Sequence, residues 1–273
     1  MAWSKNITEW HDNGTGYLSI PFTWLLPAAH ARVRQRDAFV KRWVLGGPAV
    51  RLMPEYVAGW DVDTAAYFPG VLQRVNPDAT RTTEGCPNRC PWCGVRKVFP
   101  EFRALENWPV LPIVCDDNLL AAEADHFSDV VCRLRSVPGC DFNQGLDASL
   151  LTSWHAQLLA TLQKPIIRLA LDYDSFRSAW ADAIDRLLVA GLAKSRIRTY
   201  VLCGFDGRPE DDWDRCRFVE SFGVKALPMW YHRLDCLRHN EVTEAQHNLG
   251  WNKRKQRELM CWYYQHRTLA VRG

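Results

Sequence analysis

The chain has 273 residues and a net charge of only +3, with 47% apolar and 24% charged residues, the balance of an ordinary globular protein. So small a charge neither demands a nucleic-acid partner nor excludes one. No run approaches the roughly twenty apolar residues of a membrane span, so no membrane partner is expected. The opening residues hold no apolar stretch of signal-peptide length, which leads to the expectation of a cytoplasmic protein with reduced thiols. In that setting the glycosylation patterns Asn6-Ile7-Thr8 and Asn13-Gly14-Thr15 are coincidences.

In chain order, Tyr17-Leu18-Ser19-Ile20-Pro21 reads as a strand, Ala28 to Arg42 as a basic helix, and Val44-Leu45-Gly46-Gly47-Pro48 as a second strand and turn. Strand, helix and strand make a βαβ-like fragment. The segment that follows, Thr83-Glu84-Gly85-Cys86-Pro87-Asn88-Arg89-Cys90-Pro91-Trp92-Cys93-Gly94, is the most informative in the chain. Its C-x3-C-x2-C spacing sets three cysteines on one loop bent by Gly, Pro and Asn, which suits an iron–sulfur cluster. Three ligands leave one iron of a four-iron cluster open to a small molecule. The alternative is a Cys3His zinc site completed by a histidine such as His126, although no second C-x2-C pair is present.

With Trp92 as the aromatic residue just before the third cysteine, this loop resembles the signature of the radical S-adenosylmethionine (radical SAM) superfamily. The resemblance implies Cys86, Cys90 and Cys93 as ligands of a [4Fe-4S] cluster, SAM as a second cofactor, and an electron donor such as a flavodoxin or ferredoxin. It also implies reductive cleavage of SAM to methionine and a 5′-deoxyadenosyl radical, which takes a hydrogen atom from a substrate carbon. The whole layout is similar to uncharacterised radical SAM proteins of bacteria and prophages, a likeness that brings no substrate with it. The βαβ-like fragment resembles the end of the cobalamin-binding domain that precedes some radical SAM barrels. It lacks the Asp-x-His-x-x-Gly loop that ligates cobalt, so a covering role is expected and not cobalamin binding. The other seven cysteines are scattered and read as small buried hydrophobes.

After Cys93 short β-rich runs alternate with helical ones, the pattern of parallel α/β proteins. Pro112 to Cys115 reads as a strand, followed by a helix with Phe127, Val130, Val131 and Leu134 on one face. Cys140 to Asn143 is the next strand, with a helix through Leu150, Trp154, Leu158 and Leu162. Ile166 to Leu171 is the clearest buried strand, backed by a stripe through Phe176, Ala179, Trp180, Ala183, Ile184, Leu187 and Leu188. Ile197 to Cys203, a helix from Pro209 to Phe222, and Val224 to Leu227 follow and, with the strand just before Cys86, make six strand–helix units.

Six units fit the partial (β/α)6 TIM-like barrel that the resemblance implies. The expected organisation is a covering α/β segment over 1–75, the barrel over 76–240, and an amphipathic helix over 241–273. In such folds chemistry sits where the strands end. There the resemblance places Asp116, Asp117 and Asn118 near the methionine amino group, without the family's usual Gly-Gly-Glu. It sets Arg168 and Asp172 at the SAM carboxylate and ribose, and Gly204 against the adenine. Asn143, Gln144 and Asp147 are expected to orient substrate or SAM; the competing role for these three, and for the other Asp and Asn residues at helix starts, is helix capping. No acid–base residue is assigned.

At the C-terminal end Lys253, Arg254, Lys255 and Arg257 precede an aromatic face of Leu259, Trp262, Tyr263 and His266. Basic charge beside aromatics suits single-stranded nucleic acid, although the expectation is a helix that covers apolar barrel surface. The sequence therefore leads to a radical SAM enzyme on an unidentified substrate, with a nucleotide or nucleic-acid base among the options. The competing class is a non-catalytic, zinc- or cluster-stabilised nucleic-acid-binding module.

Overall fold

The computed structural model describes residues 5–35, 37–65 and 70–265, of which 263–265 by backbone alone. They fold as two compact units, each interrupted along the chain. One comprises 1–79, 88–100 and 232–239, and the other 80–87, 101–231 and 240–273.

In the first unit β1 (Thr8–Asp12) and β2 (Thr15–Ser19) form an antiparallel hairpin, and β3 (Arg42–Gly46) pairs parallel with β2. The hairpin turns on Asn13-Gly14, both at positive φ (47° and 77°), the pair that suits a tight two-residue turn. The βαβ-like reading survives as β2, α1 (Leu26–Arg34) and β3, with the helix eight residues shorter at its basic end than expected. Arg32 explains where the remainder goes, since its guanidinium holds Glu9 and Asp37 and fixes the chain as it leaves the helix. Short helices α2 (Pro48–Leu52), α3 (Pro54–Val57), α4 (Val71–Val75) and α5 (Val95–Val98) complete this unit. Its core gathers Leu18, Ile20, Leu26, Leu45 and Ala49, all nearly inaccessible.

In the second unit the strands are β4 (Ala79–Thr80), β5 (Thr83–Glu84), β6 (Arg103–Ala104), β7 (Ile113–Val114), β8 (Asp141–Phe142), β9 (Ile167–Leu171), β10 (Ile197–Cys203) and β11 (Lys225–Trp230). Helices α6 (Ala124–Leu134), α7 (Ser153–Ala160), α8 (Arg177–Val189) and α9 (Pro209–Ser221) alternate with the later strands, before α10 (Glu244–Asn248) and α11 (Lys253–Gln265). The expected partial barrel is not formed. Among the described residues the strands of the two units lie in small separate sheets of three, three, three and two strands, and there is no closed barrel. Between the sheet β4-β7-β8 and the sheet β9-β10-β11 the backbone pairing is reduced to isolated parallel bridges, Asp141 with Ile166 and Leu146 with Leu169.

The reason lies in the early strands. β4, β5, β7 and β8 are two residues each, and the Asp116 side chain takes the amides of Thr82 and Thr83 that a longer ladder would have used.

The later strands are longer, five to seven residues each, and β10 stands where the sequence places it. Along β9 and β10 every second residue is buried. Trp180 of α8 donates to Thr199 on that face at 3.1 Å, so the helices cover Leu169, Thr199, Val201 and Ala226. Trp180, Ala183, Ile184 and Leu187 are fully buried, each large side chain contributing on the order of 2 kcal/mol of burial. The phase of α7 differs from expectation: Ala156 and Leu159 face the core, whereas Leu150 and Trp154 are over one third exposed. The tail helix does pack on its own unit, with Leu259 buried and Trp262 Nε1 donating to Glu220 at 2.9 Å. His266 and the Tyr263 side chain lie outside the described residues. No helix among the described residues is long and apolar enough to cross a membrane.

Candidate functional site

The residues leading into Cys86 are gripped one after another by Asp116, Asp117 and Asn118. Asp116, 4% exposed, accepts from the amides of Thr82 and Thr83 at 2.5 and 2.8 Å and from the Thr82 hydroxyl at 2.6 Å. Asp117 Oδ2 accepts from the Gly85 amide at 3.0 Å. Asn118 Nδ2 donates to Cys86 Sγ at 3.4 Å and sits 3.5 Å from Asp147 Oδ2. Three successive residues that follow β7 thus hold Thr82 and Thr83, then Gly85, then Cys86 itself. Burial pushes both aspartate carboxyls above their ordinary range, against the pull of their N–H donors and of Arg81. The Asn118 side-chain oxygen Oδ1 is buried with no hydrogen-bond partner.

The cysteine loop divides between the units: Cys86 belongs to the second, Cys90 and Cys93 to the first. Within the first unit the Cys93 amide donates to the Cys90 carbonyl at 3.1 Å, a turn that sets the two residues close together with half-buried Trp92 between them. Four residues of chain from Cys86 to Cys90 reach at most about 14 Å. None of the ten cysteines is in a disulfide. Among the described residues no three His, Cys, Asp or Glu side chains are gathered as a metal-holding group. His126, the histidine of the zinc alternative, stands in the first turn of α6 with a buried Nε2 that has no partner.

The other expected residues scatter. Asp147 joins the Asn118 contact but also caps the turn after it, accepting from the Ser149 amide and hydroxyl at 3.0 and 2.6 Å. Asn143 contributes its carbonyl, to the Tyr200 hydroxyl at 2.7 Å. Gln144 is exposed and lines a small cavity with Asp116, Leu119 and Phe142. Arg168 is committed elsewhere: Nε and Nη2 donate to Asp141 at 2.7 and 2.6 Å, and Nη1 to Tyr200 at 2.9 Å. Its fork is filled, and it stands at the second position of β9, not at the strand's end. Asp172 directly follows β9 and is half-buried.

Gly204 has a local cause. A side chain there would meet the Trp230 ring at 2.5 Å, and its φ is +75°. Its amide donates to Asp212 at 2.7 Å and its carbonyl accepts from Gln246 at 2.7 Å, so the turn after β10 is fixed from both sides.

Two features escaped the sequence reading. Tyr173, Phe205 and Tyr231 cluster edge-to-face after β9, β10 and β11, at centroid distances of 6.3 and 4.8 Å. Burial and the hydrogen bond that the Tyr173 hydroxyl donates to Asp206 push that hydroxyl up to about 12. The second is the ion pair of Asp212 with Arg215, both nearly inaccessible, in which burial lifts the Asp212 carboxyl to about 6. The aromatic at each strand exit was a legible signal; the Asp212–Arg215 spacing on α9 is that of any surface helix pair. The chain matches no protein-family model and no curated protein.

Proposed function

We propose that this protein is a radical SAM enzyme whose substrate is set by residues other than the cysteine loop. The observation that carries the reading is the grip of Asp116, Asp117 and Asn118 on the approach to Cys86. Buried side chains are spent on placing a C-x3-C-x2-C loop, and an amide N–H is aimed at one of its sulfurs. An N–H donor to a thiolate is the kind of outer contact that orients metal ligands and tunes their charge, so the donor set fits the cluster by its chemistry. Cys86, Cys90 and Cys93 would hold it. When bound, the [4Fe-4S] cluster supplies the electron that cleaves SAM to methionine and a 5′-deoxyadenosyl radical, which abstracts hydrogen from a substrate carbon.

The chain's own residues then have positioning roles. Asp116 and Asp117 fix the backbone up to Gly85 and so the direction in which Cys86 points. Both Asp116 oxygens are engaged, with two backbone amides and the Thr82 hydroxyl, which argues against Asp116 as the partner of the methionine amino group. Asn118 holds the Cys86 sulfur and keeps its buried side-chain oxygen in reserve as an acceptor. Tyr173, Phe205 and Tyr231 offer an aromatic wall at the strand exits on which a flat ring can stack.

The test is anaerobic reconstitution with iron and sulfide, iron counting, and a search for 5′-deoxyadenosine after reduction and SAM addition. The wild-type chain should hold about four irons and form the nucleoside. Cys86→Ala, Cys90→Ala and Cys93→Ala should each lose most iron and all cleavage, while Cys132→Ala, on α6, should retain both. Full iron in all three loop variants would sink the proposal.

A further inference from the structure

Strands β7 to β11 all run the same way, so the loops entering β8, β9, β10 and β11 lie at one end of the parallel strands. Those loops are residues 135–140, 161–166, 190–196 and 222–224, and they contain no aspartate or glutamate. They bring Arg135, Lys164, Lys194 and Arg196, and the strands they enter add Arg198 and Lys225 in register on neighbouring strands. Asp141, at the start of β8, is filled by Arg168, and the loop entering β7 adds one exposed carboxylate, Glu106. Arg135, Lys164 and Lys194 are exposed, and the other three half-buried. The loops are tied to each other: Arg196 donates to the Lys164 carbonyl at 3.3 Å, and the Lys194 chain lies over Gly223. Helix dipoles do not explain the set, because that effect fades beyond the last turn, where Arg133 and Arg186 already stand. At the strand exits the charge is reversed, with Asp116, Asp117, Asp147, Asp172 and Asp206.

We infer that this entry rim is a docking surface for a single-stranded nucleic acid, whose phosphates pair with the rim cations. Four loops across three strand gaps of about 4.8 Å span about 14 Å, room for two or three nucleotides and too little for a duplex face. The rim has no exposed large apolar side chain in these loops, which a membrane-seated surface would use for insertion. The basic turn of α11 is a poorer candidate, because Lys255 is paired with Glu210 and Arg254 with Glu258. The inference stands apart from the iron chemistry, since the assay needs neither cluster nor SAM.

The experiment is fluorescence anisotropy of labelled oligo(dT) and oligo(U) of about 20 nucleotides against the full chain at several salt concentrations. Affinity should fall with salt at about −0.7 log units per log unit for each phosphate neutralised. A Lys164→Gln/Lys194→Gln/Arg196→Gln/Lys225→Gln variant should flatten that slope by about 1.4 to 2, the share of the two or three phosphates the rim can hold, with an unchanged circular dichroism melt. The matching Lys253/Arg254/Lys255/Arg257→Gln variant should leave the slope as it was, and Lys/Arg swaps at the rim should restore binding. Absence of oligonucleotide binding, an unchanged slope in the rim variant, or binding to phosphatidylserine vesicles in place of oligonucleotides would each overturn the inference.

Discussion

Gly204→Ala tests whether the turn after β10 is shaped by its own packing or kept open for a ligand. The added Cβ would sit 2.5, 2.7 and 2.9 Å from three atoms of the Trp230 ring, and the residue would have to keep φ near +75°. Left-handed backbone costs a non-glycine residue about 1–2 kcal/mol, and forcing a methyl into a packed site costs about 1–3 kcal/mol more. The ring has little room to retreat: it is 5% exposed, stacks edge-on against Trp251 at 5.0 Å, and donates to the Glu241 carbonyl at 3.3 Å. The expected loss is therefore about 2–5 kcal/mol, a drop in melting temperature on the order of 10 °C for a unit of this size. Urea melts followed by circular dichroism measure it. In a Trp230→Leu background the clash is gone and only the backbone cost remains, so Gly204→Ala should then cost about 1 kcal/mol. A near-neutral Gly204→Ala, or the same cost in both backgrounds, would refute the packing argument and return the glycine to the ligand-approach role.

Asp116→Ala should destabilise by about 2–3 kcal/mol, because it leaves the Thr82 and Thr83 amides and the Thr82 hydroxyl without their acceptor; the same urea melts read it, and a loss under about 1 kcal/mol contradicts the grip. Asp212 gives a pH dependence of defined sign. Its carboxyl is raised from 3.8 to about 6, so its contribution is fully present below 3.8 and is lost as pH rises through about 6, a change of about 3 kcal/mol. The stability of the wild type relative to Asp212→Asn should therefore grow as pH is lowered from about 7 to about 4. A difference that stays flat over that range excludes the shift.

The sequence was most legible where local preference and burial agree. Ile197–Cys203 and Pro209–Ser221 stand almost where the residues place them, because one alternates with period two and the other starts at a proline and stops before a glycine. The early strands were misjudged as full barrel staves. Pro112-Ile113-Val114-Cys115 has strand composition, but only two residues pair, and nothing local announces that Asp116 will supply a side-chain substitute for a ladder. The hairpin over residues 8–19 was missed although Asn13-Gly14 is its signal. Arg168 shows the limit for the site. Its type suits a carboxylate ligand, but Asp141, 27 residues away, occupies it, and that partner is set by strand register, which composition does not encode. Asp116, Asp117, Asn118 and Asp147 were picked out for binding. The structure gathers them around Cys86 by hydrogen bonds among themselves and the backbone, a reason the sequence could not supply.

The interleaving of the two units also sets a timetable for synthesis. The first unit has most of its residues by position 100, but its last piece, residues 232–239, is made more than 130 residues later. That piece is stitched in through the Thr23 hydroxyl, which donates to the Cys236 carbonyl at 2.7 Å, and through Trp24, packed on His232 and His239. At ribosomal speeds of about 5–20 residues per second, Thr23 and Trp24 wait on the order of 10–30 s after position 100 for those partners. During that interval a nascent β1-β2-β3 sheet stands with its early neighbours alone, open to chaperones and to premature pairing with another chain's edge. Release of the nascent chain before position 239 would leave that sheet unfinished, so truncated products should be recognised and degraded more readily than their length suggests.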